Sequence, residues 1–323
     1  MKNSPFISIF ARSLDEYVQF QRSSGYVYEK GVEALRPFDR FLQHCACIEL
    51  QLTNEILLNY VASVRHFAGN TQNVRISAVR GYASWLHRLK PESSLMPEVH
   101  IIRPTIPRYY LYPPSEIAIL MHAAHRLDGV PDATLRALGT ATLIGLLYAT
   151  GLRIGEALGL NIIDMELKDR RLCVRKGKQN KDRYVALQES SVIALQQYLA
   201  VRLKQPPGGL DSPVFTGANS ERLKYSSFSR VYRKLLRQEN IGKDAATFPC
   251  IHDLRHTFAC ACLLQWYEQG DDVNTKLPFL STALGHVGIE STQIYLHHTT
   301  QLFQNAARRF HNTFTKNCKG VSL

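Results

Sequence analysis

The sequence predicts a mainly α-helical protein with two domains: an N-terminal all-α helical bundle and a larger α+β domain that contains a small β-sheet. Its 323 residues exceed what one hydrophobic core usually serves, so about two domains are expected. Apolar residues recur at helical spacing along most of the chain. Between residues 164 and 187, apolar and basic residues alternate instead, which is typical of strands.

A proline-rich segment separates the two parts. Four prolines fall within residues 103–114, and proline is excluded from helix interiors. We therefore predict an N-terminal domain at residues 1–103, a linker at 104–114 and a C-terminal domain at 115–323. The spacing of apolar residues within 6–89 predicts four or five amphipathic helices. Thr53 and Thr71 are predicted to cap the starts of two of them.

The C-terminal part predicts several helices around one β-hairpin. A helix opens at Ser115, and a new helix starts near Arg153. The hairpin spans residues 164–187 and has a basic turn at 177–180. The other predicted helices are Leu135–Leu147, Ser191–Lys204, Ser226–Gln238, Leu254–Tyr267 and Ser291 to about Phe314. The longest apolar run, Ala137–Leu152, has sixteen residues and is too short to cross a bilayer, so we expect no membrane partner.

Charge favours a polyanionic partner. The formal net charge is +12 and the isoelectric point is near 9.4, which points to nucleic acid. Residues 1–103 carry +3 of this charge and the remainder carries +9. The seven cysteines are odd in number and scattered, with no secretory leader, so we expect reduced thiols in the cytoplasm.

Arg153 is the first candidate for chemistry. It follows a Thr-Gly break and begins a helix, where backbone N–H groups favour an anion. On its own, an arginine in this position is more often a surface or interdomain contact. Glu156 lies one turn further on, and we expect it to orient a basic group rather than to act as an acid or base.

The hairpin carries the second cluster. Residues 168–183 include eight basic and two acidic side chains, most of which would form a solvated face with a diffuse attraction to phosphate. Lys178, at the turn, could enter a DNA groove and give a proton to a leaving oxygen. The neighbours expected to support it or to contact DNA are Arg175, Lys176, Lys181 and Arg183. His256, outside the hairpin, is also expected to support the site or to contact DNA.

The third cluster lies at residues 252–262. His252 and Arg255 are three residues apart, so at a helix start they face one side and could bind one phosphate together. A metal site formed by His252, His256 and Cys260 is the competing interpretation. Cys260 and Cys262 face different sides of the helix, however, and no CxxC or HExxH spacing occurs, so we predict no metal and no cofactor.

Four motifs, taken together, resemble the tyrosine recombinases, which include phage integrases and bacterial Xer recombinases. They occur in the family's order and at ordinary intervals. The motifs are Ala-Thr-Gly-Leu-Arg153-x-x-Glu, Gly177-Lys178-Gln-Asn-Lys-Asp-Arg183, His252-Asp-Leu-Arg255-His256-Thr-Phe-Ala, and Leu-Gly-His286 with Tyr295 nine residues on. The resemblance covers about residues 113–310, and the N-terminal bundle resembles the family's core-binding domain.

The resemblance implies a role for each matching residue. Arg153 and Arg255 match the arginines that hold the scissile phosphate, and Tyr295 matches the nucleophile. The remaining matches are Lys178 as general acid toward the 5′-oxygen, His252 as an aid to proton transfer, and His286 as a support for the phosphate and the nucleophile. Gln179 stands where glycine is common, so Lys176 and Lys181 stay open as alternatives for the acid. The linker tyrosines Tyr109, Tyr110 and Tyr112 are interpreted as packing or DNA-facing residues.

The implied protein is a site-specific recombinase of the integrase or resolvase type, shaped as a C-shaped two-domain clamp on double-stranded DNA. It would use a 3′-phosphotyrosine intermediate without metal or ATP. Exchange of four strands implies a homo-tetramer on two DNA sites, in which an apolar stripe from Leu302 to Phe310 docks on a neighbour. The expected location is the bacterial cytoplasm, with the nucleoid. The alternatives are a type IB topoisomerase-like enzyme, distinguished by its relaxed product, and a non-catalytic DNA-binding protein on the same fold.

Overall fold

The computed structural model describes residues 5–45, 49–98, 109–127, 133–175, 182–217, 220–286 and 288–296. The chain divides into two compact units, Met1–Pro107 and Arg108–Leu323. This division falls inside the segment 104–114 that the sequence marks as a linker. Each unit is described below by itself.

The first unit is a bundle of four described helices: α1 (Ala11–Ser23), α2 (Glu29–His44), α3 (Asn54–Ser63) and α4 (Gly69–Leu89). Buried aromatic rings pack together in its core. The Phe38 ring, for example, has its centroid 4.8 Å from that of the Tyr60 ring. Thr53 caps α3 as predicted, because its Oγ1 accepts the Ile56 N–H at 3.3 Å.

The predicted helix start at Thr71 is wrong. Helix α4 begins at Gly69, and its N-cap, Ala68, has no side-chain capping bond. The preceding turn is held instead from within the helix, since the Gln72 side-chain amide donates to the carbonyls of Arg65 at 2.9 Å and Phe67 at 2.7 Å. The Gln72 amide donates to carbonyls ahead of the helix, so it fixes the entering turn and does not cap the helix N–H groups.

The second unit surrounds the long buried helix α6. Its helices are α5 (Pro114–His125), α6 (Ala133–Thr150), α7 (Ile154–Gly159), α8 (Glu189–Arg202), α9 (Tyr225–Gln238), α10 (Ile251–Glu268) and α11 (Val273–Leu284). Helix α6 packs against α5, α8 and α10, and α10 packs against α11. This arrangement brings the end of α6 beside the start of α10 and the end of α11.

The described sheet has three antiparallel strands in the order β1-β2-β3: β1 (Met165–Glu166), β2 (Arg171–Val174) and β3 (Arg183–Ala186). Leu172 pairs with Val185, and both side chains are buried against the core. Strand β3 contacts α11. The predicted hairpin is confirmed, with β1 added at its edge, and the mainly α fold with a small sheet is confirmed as well.

Two helix predictions in the second unit need correction. Helix α10 begins at Ile251 and not at Leu254, because Asp253 Oδ2 accepts the Cys250 N–H at 2.7 Å and closes a capping box. The sequence analysis missed α11, which contains Pro278, a residue that normally interrupts helices. Its buried residues nevertheless follow helical spacing, and they are Val273, Leu277, Leu280 and Leu284.

Some predictions lie outside the described residues. The basic turn with Lys176, Lys178 and Lys181 is one of them. The predicted C-terminal helix is described only over residues 290–296, which are helical, and the apolar stripe from Leu302 to Phe310 lies beyond them. Within the described ranges, no helix has both the length and the apolar character needed to cross a membrane.

Candidate active site

A glycine turn places Arg153. Helix α6 ends at Gly151, which has φ +63°, and a Cβ there would lie 2.4 Å from Phe258 Cδ1. Only glycine fits this position without displacing α10. Arg153 then forms the N-cap of α7, and its backbone N–H donates to Glu156 Oε2 at 2.9 Å.

Glu156 joins two arginines. Its Oε1 accepts from Arg153 Nη1 at 2.9 Å and from Arg183 Nη1 at 3.1 Å, and its Oε2 accepts from Arg183 Nη2 at 2.8 Å. Burial alone would raise the pKa of the Glu156 carboxyl, but the bonds from Arg183 and Arg153 outweigh it and hold that pKa below its ordinary value. The carboxylate thus orients both guanidinium groups.

Arg255 is buried, with 2% of its surface exposed. Its Nη1 donates to the Gly151 carbonyl at 2.8 Å, and its Nη2 donates to the Leu284 carbonyl at 2.7 Å. Burial, together with the charge of Arg153, lowers the pKa of Arg255 to about 10. The guanidinium therefore remains a cation at neutral pH, in a position that α6 and α11 define.

The C-terminal end of α11 anchors all three arginines. A helix C-terminus carries unpaired carbonyls and a partial negative charge, which favours cations. The anchoring bonds are Arg183 Nε to Ala283 O at 3.1 Å, Arg153 Nη1 to Leu284 O at 3.3 Å, Arg153 Nη2 to Gly285 O at 3.1 Å, and the Arg255 bond to Leu284 O. The helix missed by sequence analysis therefore positions the cations.

Helix α10 adds two histidines to the site. The His252 and His256 rings meet edge to face, with centroids 4.6 Å apart. His252 lies at the solvent-exposed side and His256 is buried. Several effects lower the pKa of His252. The largest is partial burial of the ring, and the nearby positive charges of Arg255 and Arg153 act in the same direction. This shift favours the neutral form of the His252 ring.

Tyr295 lies at the centre of these groups, with 2% of its surface exposed. Its hydroxyl is 3.1 Å from His256 Nδ1, and the Arg255 cation lies near enough to act on the phenol electrostatically. Burial raises the pKa of Tyr295, and Arg255 opposes that shift. The His286 ring lies nearly parallel to the phenol, with centroids 6.3 Å apart, and its Nδ1 is 2.7 Å from Thr292 Oγ1.

The structure thus brings most of the candidate residues together, although they come from widely separated segments. The assembled residues are Arg153, Glu156, Arg183, His252, Arg255, His256, His286 and Tyr295. Arg175 is placed differently, since it ends β2 and pairs with the buried carboxylate of Asp164. Lys176, Lys178 and Lys181 lie outside the described residues.

Sequence reasoning did not foresee the position of Tyr109. Its ring lies against that of His256, with centroids 3.6 Å apart and planes tilted by 30°. Tyr109 was interpreted only as a packing or DNA-facing residue, because no motif or spacing connects it to a helix that begins at Ile251. A contact over this distance in sequence leaves no local signal.

The histidines and cysteines of α10 do not form a metal cage. In the described part of the chain, no three His, Cys, Asp or Glu side chains are grouped as metal ligands. Cys260 instead packs in an apolar cluster with Ala259 and Leu263. The side chains at the site are suited to binding an anion, since guanidinium groups match a phosphate in charge and in geometry.

Comparison with known proteins assigns the family. Residues 112–301 match the family model described as the phage integrase family. The chain is 33% identical over 313 residues to the putative integrase/recombinase y4rB of Sinorhizobium fredii, covering 94% of this chain and 97% of the relative. It is 28% identical over 268 residues to the tyrosine recombinase XerD of Halalkalibacterium halodurans, covering 80% and 82%.

Solved structures agree in fold. The XerH site-specific recombinase bound to its palindromic difH substrate gives a TM-score of 0.65 at 20% identity, covering 87% of this chain and 79% of that one. The Tn1549 transposon integrase in complex with transposon right end DNA gives 0.66 at 16% identity, covering 91% and 98%. The near full-length relative and the matched family model lead to one assignment: this chain belongs to the phage integrase family, the tyrosine recombinases.

Proposed function

We propose that this protein is a site-specific DNA recombinase that cuts and rejoins DNA through a 3′-phosphotyrosine intermediate at Tyr295. One observation carries the proposal: the buried Tyr295 lies near Arg255 and the His286 ring, and Arg255 shares the Leu284 carbonyl with Arg153, although these residues belong to four separate segments. A phenol among fixed cations is suited to attack a phosphodiester.

The chemistry follows from the charges present. The Tyr295 oxygen attacks phosphorus, the bond from phosphorus to the 5′-oxygen breaks, and the 5′-oxygen takes a proton from a general acid. We assign the acid to Lys178, on the resemblance of its motif. Arg153 and Arg255 stabilise the charge that develops on the nonbridging oxygens. The phosphotyrosine ester retains the bond energy, so a second DNA 5′-hydroxyl can attack it without ATP.

The partner in this proposal is double-stranded DNA. The XerH and Tn1549 integrase structures contain DNA, and so does the lambda integrase dimer bound to a core site. We assign DNA binding to both predicted domains, residues 1–103 and 115–323, joined by the linker at 104–114. The net charge of +12 supports this assignment. We place the protein with the bacterial nucleoid for the same reason.

The assembly in this proposal is a homo-tetramer on two DNA sites, because exchange of four strands needs four nucleophiles. The stripe from Leu302 to Phe310 would dock on a neighbouring subunit. Light scattering of the protein with duplexes carrying one or two sites tests this point. We expect a complex of four chains and two duplexes, and a complex that stays at one chain per duplex would refute it.

The decisive experiment traps the covalent intermediate on a nicked suicide substrate. We expect a protein–DNA adduct from the wild type, also in the presence of EDTA, and no adduct from Tyr295→Phe. Tyr267→Phe, at an exposed tyrosine, is the matched control and should form the adduct. An adduct with Tyr295→Phe would exclude the assigned nucleophile. Recombinant joints, rather than relaxed circles alone, separate recombination from topoisomerase activity.

A further inference from the structure

The Tyr295 hydroxyl needs a proton acceptor close at hand. Burial raises the pKa of this phenol, so it carries its proton at neutral pH even though Arg255 acts in the opposite direction. Because only 2% of Tyr295 is exposed, bulk water has little access to that proton. In this arrangement the groups nearest to that proton are side chains, and one of them could accept it as the oxygen attacks.

The geometry points to His256. The positive charge of Arg255 favours the ionised form of the Tyr295 phenol. His256 Nδ1 lies 3.1 Å from that oxygen, within the range of an O–H···N hydrogen bond. In the tautomer whose Nδ1 carries no proton, His256 accepts the hydroxyl hydrogen, and with the nearby charge of Arg255 it polarises the phenol toward phenolate.

The other two histidines are placed for different tasks. His252, the residue that the family resemblance connects with proton transfer, meets His256 edge to face at the solvent-exposed side of α10. His286 directs Nδ1 to Thr292 Oγ1 at 2.7 Å, and its ring lies parallel to the phenol at 6.3 Å. His256 has a ring nitrogen at hydrogen-bond distance from the nucleophile, with Nδ1 3.1 Å from the Tyr295 oxygen.

Tyr109 determines the orientation of the His256 ring. Rotation of an imidazole about its last side-chain bond has a broad, shallow energy profile, so neighbours decide where Nδ1 points. The Tyr109 ring covers one face of His256 at 3.6 Å between centroids, and His252 meets it edge to face. Tyr109 is the second residue of the second unit, Arg108–Leu323, so the segment that enters this unit contacts the partner of the nucleophile.

We propose that His256 is the catalytic residue that takes the proton of Tyr295 during DNA cleavage, and that Tyr109 is the positioning residue that holds the His256 ring. This rests on the proposed function. As the bond from the Tyr295 oxygen to phosphorus forms, the phenolic proton moves to His256 Nδ1, while the 5′-oxygen leaves with a proton from the general acid. In the ligation step the phenolate is expelled and recovers the proton from Nδ1.

Several other ionisable groups face this arrangement and contribute to its pH response. They are His252, Asp253, Arg255 and Cys260 on α10, and His286 with Tyr295 on the following segment. The test therefore compares variants at the same pH values instead of interpreting one titration. Single-turnover cleavage of the nicked suicide substrate is measured from pH 6 to about pH 9.5, bracketing the ordinary pKa values of histidine and tyrosine.

His256→Gln retains a polar side chain that cannot accept the proton. We expect cleavage about 10²–10⁴-fold slower near neutral pH. The deficit should shrink as pH rises, because hydroxide replaces the missing base. A deficit that is constant across the pH range would indicate a structural role and would overturn the assignment. A wild-type rate would overturn it too.

A substrate with sulfur in place of the bridging 5′-oxygen distinguishes a residue that deprotonates the nucleophile from one that protonates the leaving group. A thiolate leaves without taking a proton, so Lys178→Ala should recover on this substrate. His256→Gln should remain slow, because the nucleophile still has to be deprotonated. Recovery of His256→Gln would show that His256 serves the leaving group, which contradicts the proposal.

Two substitutions at Tyr109 test the positioning role without altering the buried histidine. Tyr109→Phe keeps the ring that contacts His256 and should cleave faster than Tyr109→Ala. Tyr109→Ala should be slower, with a pH profile of wild-type shape, because fewer molecules hold His256 in alignment. Equal rates for the two variants would refute this role. If Tyr295→Phe abolishes the adduct while the His256 variants are unaffected, the proposed function stands and this inference fails.

Discussion

At the scale of single residues, Glu156 connects the cations of the site. It accepts hydrogen bonds from Arg153 and Arg183, and these two arginines also bind the end of α11. Glu156 and Arg183 each retain 11% side-chain exposure, so their pairing is largely shielded from water. Removal of this carboxylate would leave two partly buried guanidinium groups without their shared counter-charge.

Glu156→Gln should therefore lower the free energy of unfolding by about 3 kcal/mol. The pKa of Glu156 lies below its ordinary value in the folded protein, so its contribution is present above pH 4.5 and is lost as the pH falls through the folded-state pKa. Urea unfolding at pH 7 and at lower pH checks this, and the gap between wild type and variant should narrow in acid. Glu189→Gln, at a carboxylate with 68% side-chain exposure, should cost no more than about 1 kcal/mol.

Gly285 gives a second prediction at this scale. It caps α11 with φ +64°, and an added Cβ would lie 2.8 Å from Arg183 Cζ. Gly285→Ala should destabilise the protein by more than about 1 kcal/mol and slow adduct formation, because it displaces carbonyls that hold Arg153. Gly155→Ala is the control, since no atom lies within 4 Å of the added Cβ. Equal melting temperatures for the two variants would contradict this account.

At the scale of elements, the start of α10 matters most. One helix carries His252, Arg255 and His256, so its first turn sets the position of three candidate groups. The capping box at Cys250 and Asp253 holds that turn, with Asp253 Oδ2 accepting the Cys250 N–H at 2.7 Å. Stability of the helix and geometry of the site are therefore coupled through one carboxylate.

Asp253→Ala should cost about 0.5–2 kcal/mol of stability through loss of the cap, and it should reduce the rate of adduct formation. Asp253→Asn keeps an acceptor oxygen and should stay close to the wild type in stability. The urea midpoint followed by circular dichroism, together with the suicide-substrate assay, measures both effects. If Asp253→Asn loses as much stability as Asp253→Ala, loss of the capping hydrogen bond is not the cause of the destabilisation.

At the scale of the whole molecule, charge governs the encounter with DNA. The net charge is +12, with +9 in residues 104–323, and each phosphate that a cation neutralises releases condensed counterions. For about six such contacts, the logarithm of the binding constant should fall with the logarithm of salt concentration with a slope of about −5. Fluorescence anisotropy on a labelled duplex at several salt concentrations tests this. An affinity insensitive to salt would rule out phosphate-dominated binding.

Much of the fold was predictable because its signals are local. Helical spacing predicted four or five helices within residues 6–89, where four are described. It also predicted the start of α5, and α6, α8 and α9 to within a few residues, and strand alternation predicted β2 and β3. The errors at α4, α10 and α11 have a common cause. In each case an interaction outweighs the helix preference of the residues themselves. The interaction is made by the Gln72 side chain at α4, by the Asp253 side chain at α10, and by the buried apolar face of α11 around Pro278.

By itself, the sequence determined which chemical groups the protein carries and in what order: arginines, histidines and one tyrosine in motifs of fixed spacing. Only the tertiary structure decided which of them meet. Arg255 reaches the carbonyl of a residue 104 positions away, and Arg153 reaches one 131 positions away. Such contacts depend on how α6, α10 and α11 pack, and packing is a property of the whole core that no local pattern encodes. The same reason explains why Tyr109 was recognised beside His256 only in the folded chain.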